Sequence, residues 1–180
     1  MASSFRHFGF DNQPPRTLLP HSMIDPKELR RVMGQFASGV TIITTRDVDG
    51  TPYGLTANAF TSLSLDPPLC VVCIDRRAES FMHFPASKVF NVNILTRAQE
   101  EISNRFAKSG GDKFTGLATT RGANGAPLLD GALATIECTI TETFEGGDHV
   151  IHVGRVEQFH SNEGEPLLYF QGKYRRLADA

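Results

Sequence analysis

Two short polar segments hold most of the side chains that could bind a charged or polar ligand. Residues 56–64 read Thr-Ala-Asn-Ala-Phe-Thr-Ser-Leu-Ser and stand just before Pro67-Pro68. Small side chains let a ligand approach the backbone, and hydroxyl and amide groups can hydrogen-bond a phosphate or a polar heterocycle. A turn capped by hydroxyl groups has the same composition, so these residues alone leave both interpretations open.

The second segment, residues 105–114, places three cations around a glycine pair. Arg105, Lys108 and Lys113 surround Gly110-Gly111, a composition that suits an anion. Cations are also favoured at a solvated helix end by the helix dipole. Ligand binding and helix solvation therefore both remain explanations of this segment.

Two histidines, His149 and His152, follow the turn predicted at Gly146-Gly147-Asp148. Residues three apart on a strand point to opposite faces, so this pair is not expected to ligate one metal. Without further context, His149 is an ordinary exposed residue of a hairpin turn.

The three cysteines are Cys70, Cys73 and Cys138, and this odd, low count argues against a secreted disulfide scaffold. Cys70 and Cys73 flank two valines inside an apolar strand, which directs them to opposite faces. We therefore interpret them as buried structural thiols. The sequence contains no G-x-G-x-x-G motif after a strand and no P-loop, so any nucleotide is held without a Rossmann turn.

Two helices are expected around these segments. Asp25 suits an N-cap, with Pro26 at the first helical position and Glu28 as the capping-box partner. Ile24 and Leu29 occupy the staple positions, and Gly39 is the expected stop. For the second helix, Thr96 and Gln99 form a capping box, the apolar stripe is Ala98, Ile102 and Phe106, and the end is expected at Gly110-Gly111.

Most of the remaining chain reads as strands. They are expected at residues 40–45, 52–56 after an Asp49-Gly50 turn, 69–74, 88–95, 132–144, 149–160 and 167–177. On the strand at 88–95, Val89, Asn91 and Asn93 share one face. Many short strands with two substantial helices predict a mainly β fold, a closed antiparallel barrel rather than a βαβ array.

Length and composition narrow the class of protein further. The chain has 180 residues, a globular composition and a net charge of −2, without the basic excess of a nucleic-acid-binding protein. No apolar run approaches the roughly 18 residues of a membrane span, and residues 1–22 lack the apolar region of a signal peptide. We expect a cytoplasmic protein with a flexible N-terminal arm over residues 1–22 and one domain over residues 23–180.

An ordered set of motifs over about residues 23–177 resembles the flavin reductase-like family, above all the small reductase components of two-component flavin monooxygenases. The runs that carry the resemblance are 39–45, 56–68, 90–95, 105–107 with 113–116, 147–156 and 166–174. The resemblance implies a split β-barrel of the FMN-binding type, usually a homodimer with flavin near the subunit interface. It also implies reduction of FMN or FAD by NADH or NADPH, with reduced flavin passing to a separate oxygenase.

Site residues follow from the resemblance where positions match its motifs. It implies that residues 56–62 line the isoalloxazine and ribityl chain, that Ser80 contacts the flavin phosphate region and that Lys113 and Phe114 hold the far end of the flavin. His149 would be the catalytic residue, a group that lies by the nicotinamide, positions it and could carry a proton without being an obligatory base, and Tyr174 would lie near the same pocket. The residues of the first segment are Thr56, Ala57, Asn58, Ala59, Phe60, Thr61 and Ser62.

The hydride transfer implied by the resemblance needs none of the catalytic motifs that the sequence lacks. The cofactors carry out hydride transfer, and the protein has only to stack the rings, so neither a catalytic triad nor a metal is needed. Backbone N–H groups near residues 57–61 could stabilise charge that develops on the flavin. The alternatives are a non-catalytic flavin or electron carrier on the same barrel and, ranked lower, an oxidase of the pyridoxamine-phosphate type.

Overall fold

The structure is a computed structural model that describes residues 24–177. The arm expected over residues 1–22 lies outside the described residues. The helices are α1 (Pro26–Met33), α2 (His83–Ser87) and α3 (Glu100–Phe106), the last preceded by a 3-10 turn at Arg97–Gln99. The strands are β1 (Ser38–Gly39), β2 (Thr41–Arg46), β3 (Pro52–Ala57), β4 (Phe60–Leu65), β5 (Pro68–Asp75), β6 (Val89–Ile94), β7 (Thr119–Arg121), β8 (Pro127–Leu129), β9 (Ala134–Gly146), β10 (His149–Ser161), β11 (Leu168–Phe170) and β12 (Lys173–Arg175).

Seven strands form one antiparallel sheet in the order β3-β2-β6-β9-β10-β5-β4. Its two edge strands, β3 and β4, are consecutive in the chain and joined only by Asn58 and Ala59. Because so short a link connects opposite edges, the sheet must curl back on itself. The result is an antiparallel barrel split between β3 and β4, which confirms the predicted mainly β split-barrel fold.

Both faces of β2 are buried, which explains its unbroken β-branched sequence. Ile43 belongs to a core cluster with Val72, Phe84 and Phe90 inside the curled sheet. The preceding residue, Ile42, belongs to a second cluster in which Phe106 packs on the other face of the sheet. Side chains alternate along a strand, so consecutive isoleucines fill two different cores.

The polar face of β6 is buried as well, under the β7–β8 hairpin that the strand predictions did not include. Asn91 donates to the Ala126 carbonyl over 3.0 Å, and Asn93 accepts from the Leu129 N–H over 2.7 Å. Gly122 permits this close approach, because a Cβ there would lie 2.9 Å from the Asn91 amide nitrogen.

The first helix begins as predicted but ends earlier. The Asp25 carboxylate accepts from the Lys27 N–H over 2.9 Å, and Pro26 is the first helical residue. Glu28 pairs with Arg31 instead of returning to the cap, so the predicted capping box is wrong. The helix ends at Met33 with Gly34 as its cap, and the predicted stop, Gly39, lies in β1.

The second helix shows a similar pattern. The Thr96–Gln99 capping box is present as predicted. The helix ends at Phe106, four residues before Gly110-Gly111, so that predicted end is wrong. Both glycines instead adopt positive φ angles of 80° and 77° in the following loop. This conformation is open to glycine at little cost, and here it turns the chain towards Lys113.

The predicted strand at residues 167–177 is two strands. β11 and β12 form a tight hairpin that turns at Gln171 and Gly172, with φ angles of 51° and 74°. The Gln171 N–H donates to the Gly34 carbonyl over 2.9 Å, which ties this hairpin to the end of α1. The long strands β9 and β10 match their predictions within a few residues.

The cysteines are free, and Cys70 and Cys73 lie on opposite faces of β5 as predicted. Cys70 is buried, with its sulfur 3.5 Å from that of Cys138, and Cys73 is half-buried. Burial raises the pKa of the Cys73 thiol. Nothing in this arrangement points to a zinc site, since the two thiols of the pair cannot reach one ion.

A candidate flavin site along strand β3

Three adjoining cavities follow β3. The first, the Thr56 cavity, has a volume of about 430 Å³ and is lined by residues including Thr56, Asp75, Ser80 and Lys113. The second, the Tyr53 cavity, has about 540 Å³ and shares Glu79, Ser80 and Lys113 with the first. The third, the Tyr174 cavity, has about 250 Å³ and shares Thr56 with the first. Small-molecule sites have volumes of about 300–1,000 Å³, so together these cavities suit a nucleotide-sized ligand.

Ser80 stands where the Thr56 and Tyr53 cavities meet. The residue is only 3% exposed, and its hydroxyl has no hydrogen-bond partner within residues 24–177. A buried hydroxyl without a partner is costly unless something else satisfies it. The Ser80 hydroxyl therefore fits a ligand oxygen, such as that of a phosphate.

Lys113 supplies the positive charge at the same place. Its side chain is only 12% exposed, and its ammonium lies 3.9 Å from the Glu79 carboxylate. The Glu79 carboxylate also accepts from the Gly110 N–H over 2.9 Å, so it joins the two sides of this junction. A single long ion pair leaves donors of the ammonium group available for an anion.

The loop that carries Lys113 is held from two sides. Asp112 accepts from the N–H groups of Phe114 and Thr115 and from the Thr115 hydroxyl. The hydroxyl bond, followed by the two backbone bonds, lowers the pKa of the Asp112 carboxyl. Arg105 donates to the carbonyls of Asp112 and Thr115. Arg105 therefore uses donors to hold the loop, a structural role that neither interpretation of this segment included, and Lys108 is exposed.

Phe114 connects this loop to the core. Its ring meets the Phe106 ring edge to face, with centroids 5.1 Å apart, while the residue lines the Tyr53 cavity. Gly54 on β3 makes room for Phe106, because a Cβ there would lie 2.9 Å from the ring. The packing of Phe106 beneath the site thus depends on glycine, which has no side chain, at position 54 of β3.

Tyr174 and the start of the predicted flavin segment meet at the Tyr174 cavity. Thr56 and Asn58 line it beside Tyr174. The Tyr174 hydroxyl lies 2.7 Å from the Ser103 hydroxyl, and the Thr56 hydroxyl donates to the Ser103 carbonyl over 2.6 Å. Ser103 is fully buried and joins the two predicted residues. It was missed in the sequence, although a serine beside the apolar stripe of a helix is a usable signal.

The rest of the predicted flavin segment lies away from the three cavities, because it crosses to the opposite edge of the sheet. Ala57 is buried, and Phe60 packs on the core cluster that contains Phe90. Thr61 and Ser62 are exposed on β4. None of the three cavities is lined by these residues or by Ala59. Their contact with flavin stays a prediction.

His149 lines none of the three cavities but neighbours a residue that does. It pairs with Asp75 across β10 and β5, and Asp75 lines the Thr56 cavity. The His149 Nδ1 lies 2.7 Å from the Asp148 carboxylate, and the imidazole is 39% exposed. The Arg77 side chain, by hydrogen bonding, lowers the pKa of Asp75 to about 2. A cavity-facing carboxylate therefore stays charged beside His149, a feature that the sequence alone did not reveal.

His152 points the other way, as predicted for residues three apart on a strand. It is fully buried, lies 3.0 Å from the Thr143 hydroxyl and stacks on Phe84 with ring centroids 5.9 Å apart. Across residues 24–177, no three His, Cys, Asp or Glu side chains are grouped so as to hold a metal ion. In the same part of the chain, no helix has the length and apolar character needed to cross a membrane.

Comparison with known proteins places this geometry in a family. Residues 33–178 match the flavin reductase like domain family. The chain is 41% identical over 152 residues to the stachydrine N-demethylase reductase subunit of Rhizobium meliloti, covering 84% of this chain and 66% of that protein. It is 41% identical over 156 residues to the NADH-dependent flavin reductase of a Rhodococcus species, covering 86% and 88% of the two chains.

A solved structure agrees with these relatives. The NADH:FAD oxidoreductase of Streptomyces globisporus superposes with a TM-score of 0.80 at 39% identity, covering 89% of this chain and all of that one. The chain spans 66% of the length of the stachydrine demethylase subunit, so that relative is the longer protein. With the split barrel, the ordered motifs and the match over most of its length, this chain belongs to the flavin reductase-like family.

Proposed function

We propose that this chain transfers hydride from NADH or NADPH to FMN or FAD. The observation that carries the proposal is the Ser80–Lys113 junction, where a buried hydroxyl without a partner in residues 24–177 lies beside a largely buried ammonium. The cavities continue from this junction along β3 to Thr56 and Tyr174. A phosphate at the junction places the rest of a flavin along that strand.

The chain's own residues bind and orient in this reaction. The flavin, when bound, supplies the ring that accepts hydride. Lys113 and Ser80 hold the phosphate by charge-assisted and neutral hydrogen bonds. Thr56 and Asn58 line the ring end, and Tyr174 closes it through its bond to Ser103. His149, oriented by Asp148, positions the nicotinamide at the margin of the Thr56 cavity.

We further propose that the chain supplies reduced flavin to a separate oxygenase. Support comes from the stachydrine N-demethylase relative, which is named as a reductase subunit. The cytoplasm remains our predicted location for both components.

We also propose that the chain forms a homodimer, as the family resemblance implies. Phe36 after α1 is 83% exposed, Leu65 on β4 is 93% exposed and Phe159 on β10 is 81% exposed. A dimer interface that covered these side chains would remove their apolar surface from water. We propose a two-fold dimer, and sedimentation at micromolar concentration tests it. A fully active monomer would contradict it.

A steady-state assay tests the function itself. NADH and NADPH are each combined with FMN, FAD and riboflavin, and nicotinamide oxidation is followed. We expect turnover with at least one nucleotide flavin and weaker saturation by riboflavin, which lacks the phosphate that Lys113 and Ser80 would hold. Tight flavin retention with negligible nicotinamide oxidation would instead identify a flavin or electron carrier.

A further inference from the structure

The Tyr53 cavity lies beyond the phosphate junction and is not needed to hold a flavin ring and one phosphate. It shares Glu79, Ser80 and Lys113 with the Thr56 cavity, so the two communicate directly at that junction. A ligand with its ring near Thr56 and its phosphate at Lys113 therefore has its distal end directed into the Tyr53 cavity. Its volume of about 540 Å³ exceeds that of the Thr56 cavity.

The walls of the Tyr53 cavity combine an aromatic part with a charged part, the latter formed by Glu79, Asp112 and Lys113. Tyr53 lines it, with its ring stacked on that of His83 at a centroid distance of 3.4 Å and an interplanar angle of 12°. Pro52 and Phe114 line it as well. Aromatic side chains stack on nucleobases whatever the base, because every base has a π face. The aromatic part of the wall therefore suits a nucleobase, while Lys113 provides the positive charge for the phosphate that precedes the base.

The cavity is also shaped before any ligand binds. The His83 stack restrains the Tyr53 ring from one side. Arg105 and Asp112 hold the loop that carries Phe114 and Lys113 by the hydrogen bonds described above. A preformed wall reduces the ordering cost of binding. Ser80 and Lys113 at the entrance match the diphosphate that joins two nucleoside-like halves.

We propose that the Tyr53 cavity takes the adenosine half of FAD, and that Tyr53 therefore makes the chain select FAD over FMN. This inference rests on the proposed flavin site, because it needs the phosphate at the Ser80–Lys113 junction. Tyr53 is a specificity residue in this scheme and takes no part in hydride transfer.

Equilibrium binding of FAD and FMN without nicotinamide tests the proposal in three proteins: wild type, Tyr53→Ala and Tyr53→Phe. Wild type should bind FAD at least about tenfold more tightly than FMN. Base–aromatic stacking of the usual strength corresponds to about 5- to 150-fold weaker FAD binding by Tyr53→Ala. FMN binding should change less than about twofold, and Tyr53→Phe should keep the selectivity because it keeps the ring.

Several outcomes overturn the proposal. If the wild-type protein binds FMN as tightly as FAD, the proposal fails before any variant is measured. An equal loss of FAD and FMN in Tyr53→Ala would show general damage to the site. The KM for NADH with FMN as acceptor is measured for Tyr53→Ala in a separate steady-state assay. If that KM rises while the ratio of FAD affinity to FMN affinity stays at the wild-type value, the cavity binds the nicotinamide nucleotide instead. If neither flavin binds wild type, the proposed function itself fails.

Discussion

Two polar regions of this molecule both contain small buried polar side chains but differ in whether those side chains have hydrogen-bond partners. On β6, Asn93 donates to the Ile42 carbonyl over 3.0 Å and accepts from the Leu129 N–H over 2.7 Å. At the cavity junction, the Ser80 hydroxyl has no partner in residues 24–177. Both side chains are buried. The difference is that, of these two buried side chains, only that of Ser80 keeps hydrogen-bonding capacity for a ligand, and Ser80 lines two of the cavities.

Replacing the framework residue should have the largest effect. Asn93→Ala leaves the buried Leu129 N–H without its acceptor and removes the bond to Ile42. We expect the free energy of unfolding to fall by about 2–4 kcal/mol, measured by chemical denaturation. The flavin affinity of the folded protein should stay within about twofold of wild type. Unchanged stability would show that the asparagine network is not structural.

His149→Ala tests whether this histidine positions the nicotinamide. If the imidazole positions the nicotinamide, reduction of bound flavin should slow on the order of 100-fold, because misplacing a reactant by about 1 Å costs that much. The KM for the nicotinamide should rise, and flavin affinity should barely change. Stopped-flow measurement of flavin reduction, together with a thermal melting curve, distinguishes a catalytic from a structural role of His149. Wild-type reduction rates with a lowered melting temperature would leave His149 a turn residue.

Lys113→Ala tests the phosphate junction. A hydrogen bond to a charged group contributes roughly 1.5–3 kcal/mol, so flavin should bind about 10- to 150-fold more weakly. The kcat for bound flavin should be largely kept, because the lysine lies at the phosphate and not at the ring. Lys108→Ala is the matched control, since Lys108 lines the Thr56 cavity but is exposed. Equal effects of the two variants would indicate only general electrostatics.

His152 separates burial without a partner from membership of the site. Its Nε2 is also buried without a partner in residues 24–177, but the residue lines none of the three cavities. Burial lowers the pKa of His152. The unfolded chain therefore binds a proton near pH 6.5 that the folded chain resists. The free energy of unfolding should fall as the pH drops from 7 to 5, with at most about 1.4 kcal/mol per pH unit from this group.

The His152→Gln variant should lose that part of the pH dependence and keep its flavin affinity. Exposed His160→Gln provides the control and should keep the wild-type slope. Asp75 and Asp148 do not confuse the measurement. Hydrogen bonds from Arg77 and His149, respectively, lower their pKa values, so the stability they add is lost progressively below about pH 5. Weakened flavin binding in His152→Gln would place this buried nitrogen in the site after all.

The sequence by itself determined the elements whose signals are local. The Asp25 cap, the Thr96–Gln99 capping box and the Asp49-Gly50 turn are correct because neighbouring residues make those contacts. Each of these devices depends on residues within four positions of one another. The β-branched run on β2 likewise predicts a strand whatever packs against it. The ordered motifs then indicated the family, the fold class and the members of the candidate site.

Only the tertiary structure decided what depends on distant partners. Gly39 was expected to end a helix, but its segment instead pairs with β11, over a hundred residues away. Arg105 has the charge of an anion ligand, but the loop carbonyls use its donors. The family resemblance already named Ser80, but only the fold shows that its hydroxyl is buried without a partner within residues 24–177. Whether a polar group is satisfied depends on what the fold brings to it, and local sequence does not contain that information.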